Sequence, residues 1–510
     1  MVILWVSLNR RFGAGQYDVS VPIVMNDFIK WLESDGNILF SNVDICLIDK
    51  SVGYGLFTKE NVRLNEVLIK IPEKYIITAD FVSNIKEYAD ILNRFVFDSS
   101  ELLALFFAFE RVYFDYFCEQ LGSLNDGTAY FVQWTLEMPN GFKHFLNCRK
   151  ELMNEKRNES DFWWKSYIGI LPRNFSTPLF IYYLKENGNA KIKEIASQLP
   201  IETKEKLLGQ LDELIIFEEK LFLTFFSFLK LLLNSFEGDT FQIAKTLSQD
   251  SIVFWREVCC WAWHIVNTRS IFTENLSLHS VDKQKSCDKN QKICSKKKNK
   301  TDEENFGGSL ALVPLVDMLN HSPDASCVPF FDNKMGFFKV IAEHHSIVAG
   351  QQLFFCYGAH NNDQLWIEYG FRLLENPFNR VNISIDLFVA LAERCGQKVE
   401  SARREIFKKA RLPCTIYATD EIPSFALRKN ASILLMKKSK LSNWSQYLFS
   451  DDENGEEEEI LTSPEIKLIV AILRKLENAL IARRNECLME EICASWDDQI
   501  QILKRMLIKY

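Results

Sequence analysis

The spacing of apolar positions along the chain changes twice, and those changes divide it. Residues 26–40 recur with helical spacing after a polar start. From Val43 to Asp49 the pattern alternates, Gly53, Tyr54 and Gly55 intervene, and a second apolar run reaches from Glu66 to Pro72. Alternation broken by glycine predicts two short strands around a glycine turn. Between about Asp80 and Phe272 the spacing returns to three and four residues, as at Leu102, Leu105, Phe106 and Phe109; this predicts a long helical region. Within it, Trp163, Trp164, Tyr167 and Ile170 belong to a helix closing near Pro172. Glu205 to Phe236 makes a longer helix stopped by Glu237, Gly238 and Asp239, and the aromatic-rich stretch 254–265 is expected to be buried. Strand texture returns at 311–316, 336–341 and 352–356, with the apolar run Leu315 to Leu319 read as the strand leading into Asn320 and His321. Beyond Phe378 the chain reads as helix again. Ser463, Pro464 and Glu465 supply a capping hydroxyl and a first-turn proline, and Ile466, Ile469, Val470, Leu473 and Leu480 then form one apolar face.

The order is strands, helices, strands, helices, with no βαβα alternation. That predicts an α+β fold and argues against a doubly wound sheet. One stretch belongs to neither texture. Residues 281–304 hold eight lysines and five acids with almost no apolar side chains, which predicts a disordered surface insertion over 276–308. Its lysine cluster at 296–300 reads either as a solvated loop or as a nuclear import signal. The acidic run 451–459 predicts an exposed loop.

Composition narrows the function classes. With 60 Lys and Arg against 68 Asp and Glu, the net charge is −8, so bulk polyanion binding is disfavoured and no direct nucleic-acid partner is expected. The 13 cysteines show no CxxC or CxC spacing, so no metal site is expected and reduced thiols are. The most apolar run, Leu221 to Leu233, contains Lys230 and is too short to span a bilayer, so it predicts a buried helix, with no membrane role. The apolar N-terminal residues precede Arg10 and Arg11, the reverse of an export signal.

Candidate chemistry lies in five places. Gly53, Tyr54 and Gly55 allow close backbone approach to a ligand, or form a plain turn. Arg269 follows an aromatic helix. Asn320 and His321 sit together at an apolar strand end, and buried polar groups there need partners. Tyr357 precedes Gly358, and Tyr369 precedes Gly370 and Phe371. Singly each is weak. In this order they resemble the SET-domain methyltransferases, in the class that includes the Rubisco large-subunit methyltransferase. The resemblance runs from about residue 26 to beyond 380, carried by the stretches 313–324 and 356–371.

The resemblance implies a SET-type β-rich core over 41–380, with a helical insertion at 80–272, an N-terminal helical segment over 1–40 and a helical C-terminal substrate-docking domain over 381–510. It implies methyl transfer from S-adenosyl-L-methionine to a protein lysine, in a histone tail or a non-histone protein. Histidine methylation on the same fold, or a non-catalytic module binding lysine-rich segments, are the alternatives. Gly53, Tyr54, Gly55, Arg269, Asn320, His321 and Tyr357 would hold the cofactor, Arg269 by pairing with its carboxylate. Tyr357 would be the catalytic centre, and Tyr369 would line the lysine channel, with Phe330, Phe331 and Phe338 as further candidates. A monomer in cytoplasm and nucleus is expected. A Rossmann-type methyltransferase is excluded because the chain after Gly55 returns to strand.

Overall fold

The computed structural model describes residues 23–49, 52–85, 88–89, 92–93, 95–120, 162–234, 249–274, 308–409, 416–421, 423–448, 463–487 and 489–509. The lysine-rich stretch before Gly308, the helix stop at Glu237, the acidic run 451–459 and residues 1–22 lie outside them.

The fold is α+β. Small sheets carry the centre, and helices surround them. β1 (Val43–Asp49) and β2 (Gly53–Thr58) pair antiparallel, with Cys46 opposite Gly55 and Leu47 opposite Tyr54. β3 (Val67–Pro72), β8 (Cys327–Asp332) and β9 (Phe337–Ala342) form a sheet in the order β3-β9-β8. β4 (Ile77–Thr78), β5 (Ile271–Glu274) and β6 (Gly308–Leu312) form another in the order β4-β6-β5. β7 (Asn320–His321) and β10 (Phe354–Phe355) pair in parallel. β11 (Val381–Ile383) and β12 (Ile416–Ala418) pair antiparallel.

Three local expectations change. The glycines do not form the turn: Gly53, Tyr54 and Gly55 are themselves in β2, and Gly53 enters it at φ +83°. The apolar run 66–72 pairs with β9 and not with β1. The run Leu315 to Leu319 is not a strand. Leu315 takes φ +73°, and a short 3-10 turn follows over Val316–Met318. Extended backbone cannot continue through a positive φ, so the apolar texture there reflects burial and not β-structure. β8 and the β11–β12 pair are additional to the expected strands. Pro329 is tolerated in β8 because β8 is the edge of its sheet.

The described residues between Asp80 and Arg269 are mostly helical, and the chain turns to strand at β5, which takes the last two residues, Ile271 and Phe272, of the expected helical region. Its central helix, Gln249–Arg269, buries Phe254, Trp255, Val258, Trp261 and Ile265 at 2% exposure or less. It packs against the helices Ser99–Gln120 and Ile201–Asn234. A Phe buried this way contributes roughly 2–3 kcal/mol, so this helix is firmly held and delivers Arg269, its last residue, to a defined place. In the long helix Ile201–Asn234, Leu221 and Thr224 are fully enclosed whereas Leu223 is 58% exposed, and the side chains beyond Thr224, most of the expected buried run, lie outside the described residues. No helix among the described residues is long and apolar enough to cross a membrane. At the C-terminal end, Leu468, Ile469, Ile472, Leu473, Leu476 and Leu480 of Ser463–Glu486 form the buried face. Ile466 and Val470 flank it, half-buried.

Candidate active site

The parallel pairing of β7 with β10 builds the centre. It sets Asn320 opposite Phe354 and His321 opposite Phe355, so Tyr357, two residues past β10, arrives beside His321. The Tyr357 backbone N–H donates to His321 Nδ1 at 3.1 Å, and the two rings lie 5.1 Å apart. The Tyr357 hydroxyl donates to the carbonyl of Leu319 at 2.8 Å. Asn320 Nδ2 donates to the Tyr54 carbonyl at 3.4 Å, tying β7 to the glycine strand. At Gly55 a Cβ would meet Gln352 Nε2 at 2.6 Å, Ile48 Cδ1 at 2.8 Å and Asn320 Nδ2 at 3.1 Å. The missing side chain is therefore what lets these groups close around β2.

Tyr369 reaches the same place from a helix with locally encoded ends. Asn361 caps Asn362–Tyr369 by accepting from Gln364 N, and Gly370 ends it at φ +83°; only glycine takes that conformation freely. Tyr369 is thus the last helical residue. Its ring lies 4.9 Å from Tyr357 and 6.2 Å from Phe371, and Phe371 lies 6.1 Å from His321. These rings line an aromatic wall suited to an alkyl chain ending in an amine.

Arg269 is held by a buried carboxylate. Its Nη1 donates to Asp317 Oδ2 at 2.9 Å and to the Asp317 carbonyl at 3.0 Å. Tyr167, fully enclosed, donates its hydroxyl to the same Oδ2 at 2.9 Å. The Asp317 side chain is 0% exposed and that of Arg269 24%. Burial pushes the Asp317 carboxyl up, while Arg269 and the Tyr167 hydrogen bond pull it back. Four enclosed polar atoms on these segments have no hydrogen-bond partner: Ser270 Oγ, Asp317 Oδ1, His321 Nε2 and Gln352 Nε2.

Burial governs titration here. It raises the Tyr357 and Tyr369 hydroxyls above the ordinary phenol range, so both stay protonated at neutral pH. It lowers His321 to about 4, against a backbone hydrogen bond that opposes the shift. His264, enclosed in the aromatic helix, is lowered to about 4 in the same way. Both rings are neutral in the native state and protonate in the unfolded chain below pH 6.5. Their contribution is therefore complete above pH 6.5 and is lost as pH falls towards 4. The cost at the acid end is on the order of 3 kcal/mol for each ring. Denaturant titrations between pH 7 and pH 4 are expected to show stability falling steadily, with a shallower slope in His264→Gln.

The structure brings Gly55, Tyr54, Asn320, His321, Tyr357 and Tyr369 into one neighbourhood. Gly53 stands at the start of β2, and Arg269 is anchored through Asp317, whose side chain meets Tyr167 and not a ring of the wall. Phe338 is fully buried in the core, and Phe330 is 38% exposed on the edge strand; Phe371, which carried no assigned role, supplies a ring of the wall. Sequence reasoning also passed over Asp317, Tyr167 and Gln352. A carboxylate inside the apolar run Leu315 to Leu319 was the available signal for Asp317. Nothing local marks Tyr167, which is 150 residues away in sequence.

Comparisons with known proteins place the chain among relatives. The SET domain family pattern matches residues 53–358. SET domain-containing protein 4 of Mus musculus is 23% identical over 449 residues, covering 87% of this chain and 80% of that protein. Ribosomal lysine N-methyltransferase set11 of Schizosaccharomyces pombe is 30% identical over 156 residues, 31% of this chain and 32% of that protein. The solved SET domain of LSMT bound to lysine and AdoHcy aligns with TM-score 0.49 at 14% identity, covering 96% of this chain and 90% of that one. With the pattern spanning more than half of its length, from the glycine strand to Gly358, the chain belongs to the SET domain family.

Proposed function

We propose that this chain is an S-adenosyl-L-methionine-dependent protein-lysine N-methyltransferase. The carrying observation is the Tyr357 phenol: protonated, hydrogen-bonded to a backbone carbonyl, and set between the rings of His321 and Tyr369. The family membership and the name of the fission yeast relative support the same reading.

The residues present fit the cofactor. The enclosed polar atoms of Ser270, Asp317, His321 and Gln352 suit a polar ligand, and the missing side chain of Gly55 lets Gln352 and Asn320 draw close to β2 beside them. Gly53, Tyr54, Gly55, Asn320 and His321 would hold it, with Arg269, already oriented by Asp317, facing its carboxylate. Bound there, it supplies an electrophilic methyl on a sulfonium. The chain's own contribution is orientation. Tyr357, kept protonated by burial, is an orienting group and not a base. Its oxygen lone pairs are free to accept an N–H of the incoming amine. Tyr369 and Phe371 exclude water from the alkyl chain, and that desolvation favours the neutral, nucleophilic amine. Alignment of nucleophile and methyl is the main source of rate.

The acceptor in this reading is a lysine of a histone tail or of a non-histone protein, ribosomal proteins included. The C-terminal helices are proposed to dock it. Calorimetric titration with S-adenosyl-L-methionine tests the core of the reading. One site per chain is expected. Gly55→Ala should weaken binding about tenfold or more with little loss of melting temperature, because the atoms its Cβ meets are side-chain ends that can move. Labelled-methyl transfer to core histones and to ribosomes then identifies the acceptor class. A wild-type chain that binds no cofactor sinks the reading.

A further inference from the structure

The last helix, Glu490–Lys509, does more than pack against its neighbour. It reaches the turn that carries Tyr369 and Phe371. Arg372, three residues beyond Tyr369, donates through Nη1 to Asp498 Oδ2 at 3.1 Å and through Nη2 to Ser495 Oγ at 2.6 Å. The same Nη2 donates to Asp363 Oδ1 at 2.9 Å, and the guanidinium lies over the Trp366 ring at 4.9 Å. Asp498 Oδ2 also accepts from Asn362 Nδ2 at 3.1 Å. Asn362 in turn exchanges hydrogen bonds with Leu373, through N–H at 3.1 Å and C=O at 2.8 Å. Both ends of the segment from Asn362 to Leu373 are therefore joined to one carboxylate of the last helix.

The helical insertion grips the other side. Thr203 donates to Asp363 Oδ2 at 2.7 Å, and Lys206 pairs with Glu368. Gly370 is pressed against the backbone of Ser176 and Thr177, where a Cβ would lie 2.6 Å from the Ser176 carbonyl carbon. Between these grips the chain has one residue free to turn, Phe371, next to a glycine at positive φ. A guanidinium with several fixed acceptors is held in orientation as well as in place. Releasing it would let Phe371 change its angle to the Tyr369 and His321 rings that it lies against.

We propose that Asp498 and Ser495 are positioning residues for Tyr369 and Phe371, so that the C-terminal helices complete the active site and do not only present a substrate to it. The assignment of those two rings to the site rests on the methyltransferase reading; the mechanical coupling does not. The last helix keeps its own apolar anchors, Ile492, Trp496, Ile500, Leu503 and Met506, so it stays docked when the polar clasp is cut. That separates the clasp from general stability.

The test uses the full chain with 3-fluorotyrosine placed at position 369. Its fluorine resonance should be single and sharp in the wild type. In Asp498→Ala it should broaden or split, and S-adenosyl-L-methionine affinity should fall about fivefold. Asp498→Asn, which retains an acceptor for Arg372 and Asn362, should restore most of the wild-type signal. Leu503→Ala, a cavity in the same helix, should lower the melting temperature and leave the resonance unchanged. Should Asp498→Ala be poorly folded, Ser495→Ala serves in its place. A wild-type resonance in a folded clasp variant, or an equal shift in Leu503→Ala, overturns the proposal. A wild-type chain that shows the coupling but binds no cofactor would overturn the methyltransferase reading instead.

Discussion

Replacing Tyr357 by Phe should lower the rate of methyl transfer by about 100- to 1,000-fold while cofactor affinity changes only a few-fold. The ring fills the space between His321, Phe355 and Tyr369 at centroid distances of 5.1, 4.9 and 4.9 Å, so Phe keeps the packing. What disappears is the hydroxyl that donates to the Leu319 carbonyl and offers its lone pairs to the amine. The loss belongs in kcat, because an orienting group acts on the aligned complex. Single-turnover transfer of labelled methyl, run beside calorimetry on the same variant, separates the two quantities. Equal losses in binding and rate would mean that Tyr357 holds the cofactor and does not order the acceptor.

Asp317→Ala should be the most damaging substitution for stability. It leaves the partly buried Arg269 guanidinium without its carboxylate and the fully enclosed Tyr167 hydroxyl without an acceptor. Breaking a buried ion pair from one side costs about 3–5 kcal/mol. Asp317→Asn keeps the shape and one acceptor oxygen, so it should cost distinctly less. Denaturant midpoints of the two variants measure the difference. If Ala and Asn were equally mild, Arg269 would have an alternative partner and the anchoring account would be wrong. Cofactor affinity should fall in both, since Arg269 is aimed only as well as Asp317 holds it.

The glycines illustrate how far local pattern reached. A strand break at Gly53 and Gly55 was legible because glycine interrupts alternation. Its meaning was not: the residues form a strand whose side-chain gap admits Gln352 and Asn320, more than 260 residues further along the chain. The run Leu315 to Leu319 was apolar enough to suggest a strand, yet Leu315 turns at φ +73°. Apolar content reports burial, and burial is shared by strands and tight turns. The helices around 254–265 and 463–486 were read correctly because apolar periodicity is a local property, although Ser463 is itself the first helical residue and not a cap.

By itself the sequence determined the α+β class, the helices around 254–265 and 463–486, and the ordered set of Gly55, Arg269, Asn320, His321, Tyr357 and Tyr369. Each follows from patterns within a few residues or from their succession along the chain. Only the tertiary structure decided which of those residues meet, that Asp317 and Tyr167 orient Arg269, that Phe371 joins the aromatic wall, and that Asp498 of the last helix grips Arg372. Those contacts join segments up to 266 residues apart, and a hydrogen bond between distant segments leaves no periodic trace in either of them.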